Sequence, residues 1–381
     1  MKEILKRIKL GIFSIDSAFL ILITAIYCIV FMRIVLLSIT SDILAHAWLT
    51  AEMAVGNLPW AGNFLYYMLI YVLNGYETYI YDLAFCGAIV LFVISTAKYV
   101  IIRGIFKELL PNITKLHINI LSILLCIAFS FSTDGKNYYL GQIPPNIWHN
   151  STTIFLMPFA LLLFWTSYLQ LTDYKAKRNF YILLLIILNV IAKPSYLFVY
   201  SVVFPIASLA IHGIKSKKFW FNSMTVVFGM VLIYIQYLVI YNPTTTSGGI
   251  GIAMFKVWQL FSNNILLSTL LSTLFPFTVL LLYFKEFKQD IFAKYSYLSF
   301  AISLLFFILL FEDNERFSHG NFIWQSIVCS FFMFASAIVL MVRTQNNGNK
   351  LRFYISYFLL LAHFISGIYY IYRILFLFNI Y

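Results

Sequence analysis

The sequence predicts an all-α fold, a polytopic transmembrane helical bundle of about eleven spans with an amphipathic helical loop on its outer face. Three observations carry this. Of 381 residues, 62% are hydrophobic and only 10% charged, where a soluble domain has about a quarter charged. Apolar runs of helical length recur from one end to the other, and none alternates with the period of two that a barrel strand needs. The Lys and Arg residues fall in small groups between the runs rather than on one surface, so the net charge of +12 reports topology and not a nucleic-acid partner.

Hydropathy places the spans at about 17–38, 78–97, 118–132, 151–171, 179–192, 196–212, 220–241, 264–283, 295–311, 325–342 and 353–378, within one integral membrane domain over 1–381. The basic start MKEILKRIKLGIF leads into a run longer than a signal-peptide core with no small-residue cleavage site, so it reads as a retained first helix. With the N-terminus cytoplasmic, twenty of the 26 basic residues lie in cytoplasmic loops, among them Lys98, Arg103, Lys107 and Lys115 after the second span. The positive-inside rule then supports both the span count and an outward C-terminus, in a plasma membrane. Cys28, Cys86, Cys126 and Cys329 all sit inside apolar runs without ligand spacing, which speaks against a disulfide framework or a zinc site.

The first outer segment, 41–76, holds the amphipathic loop. In SDILAHAWLTAEMAVGNLPWAGN the residues Ile43, Leu44, Trp48, Ala51 and Val55 recur at helical spacing, with Ser41 and Asp42 as capping candidates. FLYYMLIYVLNGY at 64–76 is too short to cross and reads as a second interfacial or re-entrant helix ending at Asn74-Gly75. Spans three and five are also short, about 21 Å of helix against a core of about 30 Å. The segments after them, STDGKNYYLGQIPPNIWHN and the Lys193-Pro194 turn, are therefore expected to line a recess, because irregular backbone at membrane depth needs protein or water around it.

On this topology the outer side gathers the chemistry, and the cytoplasmic side holds basic connectors. Asp42 and His46 stand one helical turn apart, a general base beside an imidazole or, alternatively, a ligand pair for a divalent cation; the bland alternative is a cap and an interfacial His. Lys193, after the short fifth span, is a cation at membrane depth and so a functional candidate. Loop EDNERFSHGNFIWQ brings Arg316, His319 and Trp324, able to fork onto phosphate and stack on a pyranose. Trp148 and His149 follow the rigid Pro144-Pro145, and Trp60 closes the first outer loop; these three are further substrate-binding candidates. The Gly run after span seven opens no nucleotide-binding unit, so NPTTTSGGIGIAMFKVWQLF reads as a flap. Asn150-Ser-Thr matches a glycosylation acceptor by chance.

The layout over about residues 10–110, carried by SDILAHAWLTAEMAVGNLPWAGNFLYYML with Asp42 near its start, resembles the GT-C superfamily of membrane glycosyltransferases. The resemblance implies that Asp42 is the catalytic base, or orients the acceptor hydroxyl, and that the donor is a sugar on polyprenyl phosphate or diphosphate. The expected partners are then that donor, a glycan or glycolipid acceptor of the cell envelope, and the bilayer, with no certain cofactor beyond a possible divalent cation at Asp42 and His46. Two alternatives stay open. An O-antigen polymerase would use a lipid-diphosphate-linked glycan, although this chain lacks a large basic outer loop. A transporter or flippase for lipid-linked glycans would build its site from broken helices.

Overall fold

The computed structural model describes residues 14–39, 41–132, 138–240, 249–313, 317–345 and 350–378. Among these residues fourteen α-helices run in chain order: α1 Ile15–Leu36, α2 Asp42–Ala54, α3 Leu65–Leu73, α4 Ile80–Leu109, α5 Lys115–Ile127, α6 Ser151–Thr172, α7 Arg178–Ala192, α8 Ser195–His212, α9 Lys217–Ile240, α10 Ile265–Leu282, α11 Phe284–Phe287, α12 Ile291–Leu309, α13 Trp324–Arg343 and α14 Lys350–Tyr372. Among the described residues nine helices are long and apolar enough to cross a membrane, and α5 and α7 are shorter apolar helices. The chain is a multi-pass membrane protein.

Capping signals in the sequence set many of the helix starts. Ser14, Ser41, Thr114, Asn150, Asn264 and Asp290 each accept a backbone N–H from the first turn of the helix that follows. Helix α13 is buried on every side, as a helix apolar all round must be. It packs against α12, α10 and α8, while α1 lies along α4 and α4 along α6.

Three details depart from the sequence reading. The second span does not stop at 97: α4 runs on to Leu109, so Lys98 is a buried residue inside a helix and not part of a cytoplasmic loop. Arg103, in the same helix, pairs with Asp16 of α1. Part of the expected flap is ordered structure, since β1 (Ile250–Ile252) pairs antiparallel with β2 (Leu310–Glu312), Ile250 opposite Glu312. Three-residue strands are too short to show a period, which is why the sequence did not announce them.

The short helices do stop inside the protein, and the backbone groups they leave open are satisfied by side-chain amides. Asn146 donates to the carbonyls of Leu125 and Ala128 at the end of α5, at 2.8 and 2.9 Å. Gln236 of α9 donates to the Val190 carbonyl at the end of α7, at 3.0 Å. Helix α14 closes over the end of α5, where Gly367 comes so near that a Cβ would lie 1.8 Å from the Ile127 carbonyl oxygen. His363 of the same helix accepts the Phe129 N–H on its carbonyl, and its Nδ1 lies 2.6 Å from the Phe129 oxygen. The irregular chain from 141 to 150 is buried throughout, so it lies packed in protein rather than facing an open recess.

Candidate functional site

The candidate site forms where the start of α2, the start of α6, the α7–α8 turn and the start of α13 meet. Ser41 caps α2, accepting the Ile43 N–H at 3.3 Å, which leaves Asp42 as the first helical residue. There the helix dipole favours a carboxylate. The Asp42 backbone N–H donates to the His149 carbonyl at 3.2 Å. Its side chain accepts from Asn150 Nδ2 at 2.5 Å.

Asn150 is the joint of the site. Its Oδ1 caps α6 by accepting the Thr153 N–H at 3.1 Å, and it also accepts from Lys193 Nζ at 2.9 Å. Lys193 lies between α7 and α8, where Pro194 at the next position separates the two helices. Its other donors go to Thr153 Oγ1 at 2.7 Å and Thr152 Oγ1 at 3.1 Å. Asp42 and Lys193 are therefore linked through one amide and do not touch. The indole of Trp324 lies 5.0 Å from the ammonium and donates to Asn321 Oδ1 at 3.3 Å; Asn321 in turn donates to Glu312 at 2.5 Å. Glu312 is buried and held by β2. Phe317, Asn321 and Phe322 pack beside it and leave only a narrow crevice.

Burial and charge set the protonation here. Burial raises the Asp42 carboxyl above its ordinary range, against the pull of Lys193, the Asn150 hydrogen bond and His319. Burial pushes the Lys193 ammonium down to about 7, opposed by the Asp42 and Glu312 carboxylates. His46 and His149 are both pushed down to about 3, by burial and then by Lys193, so both are neutral imidazoles at neutral pH. A carboxylate raised in pKa and an ammonium lowered in pKa, two hydrogen bonds apart, can accept a proton and steady an anion near neutrality. The N-terminus of α6, a helix of 22 residues, adds a positive dipole to the same place.

Of the residues expected from the sequence, Asp42, His149, Lys193 and Trp324 come together. His319 is exposed but near enough to act on Asp42. His46 sits edge-on to Tyr66 and Tyr67, at ring distances of 6.0 and 5.4 Å, with no partner for Nδ1 among the described residues. One expectation is corrected, and one residue lies apart from these groups. Trp148 is a core residue, 1% exposed with Tyr27 and Phe31 at 5.5 and 5.9 Å, which leaves no face for a substrate. Trp60 packs on Tyr71 in the loop between α2 and α3 and is not part of the hydrogen-bond chain. Arg316 lies outside the described residues. Among the described residues no three His, Cys, Asp or Glu side chains gather as a metal-binding set.

Sequence reasoning counted Asn150 and Asn321 only among the polar, sugar-binding side chains of their loops, and passed over Thr152, Thr153 and Glu312 as site residues. The first had a signal, because an Asn immediately before Ser-Thr-Thr and an apolar run is a helix N-cap pattern. Neither a protein-family model nor a curated protein matches the chain.

Proposed function

We propose that the protein is a membrane glycosyltransferase that moves a sugar from a polyprenyl-linked donor to a glycan acceptor at the outer face of the plasma membrane. In this reading the N-terminus is cytoplasmic, the two short helices count among eleven crossings, and the Asp42 end of the bundle faces outward. The observation that carries it is the chain Asp42–Asn150–Lys193 at the N-terminus of α6, a base and a cation held on one rigid amide.

The step balances on these groups. The acceptor oxygen attacks the anomeric carbon as its proton passes to the Asp42 carboxylate, and the bond from that carbon to the phosphate oxygen breaks. The electron pair leaves on the lipid phosphate, where Lys193, the hydroxyls of Thr152 and Thr153 and the α6 dipole stabilise the growing charge. Direct displacement inverts the anomeric centre. Trp324, beside Lys193, is proposed to meet the sugar ring, and Arg316 to act as a second phosphate ligand.

The test uses the purified chain in lipid nanodiscs with a radiolabelled polyprenyl-phosphate or polyprenyl-diphosphate sugar and an extracted envelope glycan. A new glycosidic bond, lost in Asp42→Asn with the fold intact, supports the reading. Movement of intact lipid across the bilayer with no new bond overturns it in favour of a transporter. Repeated addition to one growing chain identifies a polymerase using the same groups.

A further inference from the structure

A buried cation lies in the interior, away from the reaction proposed above. Lys98 of α4 is 6% exposed. Its Nζ donates to Asn146 Oδ1 at 2.7 Å and faces the rings of Phe331 and Tyr27 at 5.1 and 6.0 Å. No carboxylate oxygen among the described residues lies within 4.0 Å of it. Both N–H groups of Asn146 go to the end of α5, to Leu125 and Ala128. The carbonyl end of α5 and the two ring faces thus stabilise the ammonium in place of an acid. A methionine would fill similar space without desolvating a charge, so the charge calls for a use.

The use is visible four residues along the chain. The segment from Asn146 to Asn150 is buried without regular structure, and it ends in the two residues that hold Asp42: His149 through its carbonyl and Asn150 through its amide. Its beginning is pinned by Ile143, whose N–H donates to Ser272 at 3.0 Å and whose carbonyl accepts from Ser330 at 3.3 Å. Between these points Asn146 is held on its two N–H groups and on its oxygen, and Lys98 supplies the only charged contact in that set. We propose that Lys98 is a positioning residue for the Asp42 site: through Asn146 it fixes the segment that places Asn150 between Asp42 and Lys193. The inference rests on reading that site as functional, and its first test does not require turnover.

The experiment follows the Asp42 carboxyl by its infrared C=O stretch, identified as the band lost in Asp42→Asn, in the full chain in nanodiscs. Wild type, Lys98→Met, Lys98→Arg and Asn146→Leu are titrated, and kcat and KM are measured with the lipid-linked sugar. A shifted Asp42 midpoint in Lys98→Met and Asn146→Leu, partly restored in Lys98→Arg, is the expected result. It is accompanied by a fall in kcat of about 100-fold with KM little changed, as misplacement of a catalytic group by about 1 Å produces. An unchanged midpoint in both variants, with only a lower melting temperature, overturns the proposal. Should Lys98→Met fail to fold, Asn146→Ser carries the same titration with the same two outcomes. A shifted midpoint in a chain without transferase activity sinks the functional reading and leaves the positioning role standing.

Discussion

Lys98 and Lys193 both lie close to the end of a short helix that stops inside the protein, and the two surroundings differ in ways that separate support from chemistry. At the end of α5, Lys98 has one hydrogen-bond acceptor, two aromatic faces and no carboxylate within ion-pair distance among the described residues. At the end of α7, Lys193 has three oxygen acceptors, an indole, and the fields of Asp42 and Glu312. The first environment holds a cation still. The second places a cation of lowered pKa beside a base, among hydroxyls able to reorganise around an anion. On the proposed reading, what sets Lys193 apart from Lys98 is the company of titratable and rotatable groups.

The sharpest way to break the comparison is to remove each charge. In a transfer assay Lys193→Met is expected to lower kcat by roughly 100- to 1,000-fold, the loss typical for one preorganised stabiliser of developing negative charge. Its melting temperature should stay near wild type, because the Thr152 and Thr153 hydroxyls can donate elsewhere. If Lys193→Met retains full turnover, the two lysines are both structural. Next in size is Asn150→Ala, which removes the bridge and the α6 cap together. The cap accounts for about 1 kcal/mol of stability, and the bridge for a further loss of turnover that Asn150→Ser, a competent cap without the amide donor, should show on its own.

The pH profile tests the same contrast without large damage. A base must be ionised and a phosphate ligand protonated, so activity rises with pH through the raised Asp42 value and falls through the lowered Lys193 value of about 7. Lys193→Arg keeps its charge to far higher pH, and the alkaline limb should then disappear while the acid limb remains. An alkaline limb unmoved in that variant assigns it to another group.

Much of the fold was legible in the chain. The run of apolar segments, the two short apolar helices α5 and α7 and the helix opening at Asp42 follow from hydropathy, capping residues and the low charge content. What stayed hidden depends on partners distant in sequence. Lys98 looked like a loop residue because a lysine ends a hydropathy window, whereas Asn146 and the α5 carbonyls, placed by the fold, let α4 continue through it. Trp148 and His149 are neighbours in sequence and go opposite ways, the indole into the core against α1 and the imidazole toward Trp324. No local pattern distinguishes them, since irregular backbone has no period from which to read a face.

Those neighbours supply the smallest predicted effect. Trp148→Phe keeps an aromatic ring between Tyr27 and Phe31 while removing the outer ring volume and the buried indole N–H, which has no partner among the described residues. Loss of packing and loss of an unpaired polar group act in opposite directions, so the melting temperature should fall by only a few degrees. Turnover per folded protein should be unchanged, because the ring faces the core. His149→Phe keeps the backbone carbonyl that receives the Asp42 N–H but changes the edge that meets Tyr139 at 4.3 Å and Trp324 at 5.9 Å. It should lower turnover more than it lowers stability. If the Trp148 variant loses turnover while the His149 variant does not, the segment presents its other face to the site, and Lys98 rather than Lys193 becomes the cation to place near the substrate.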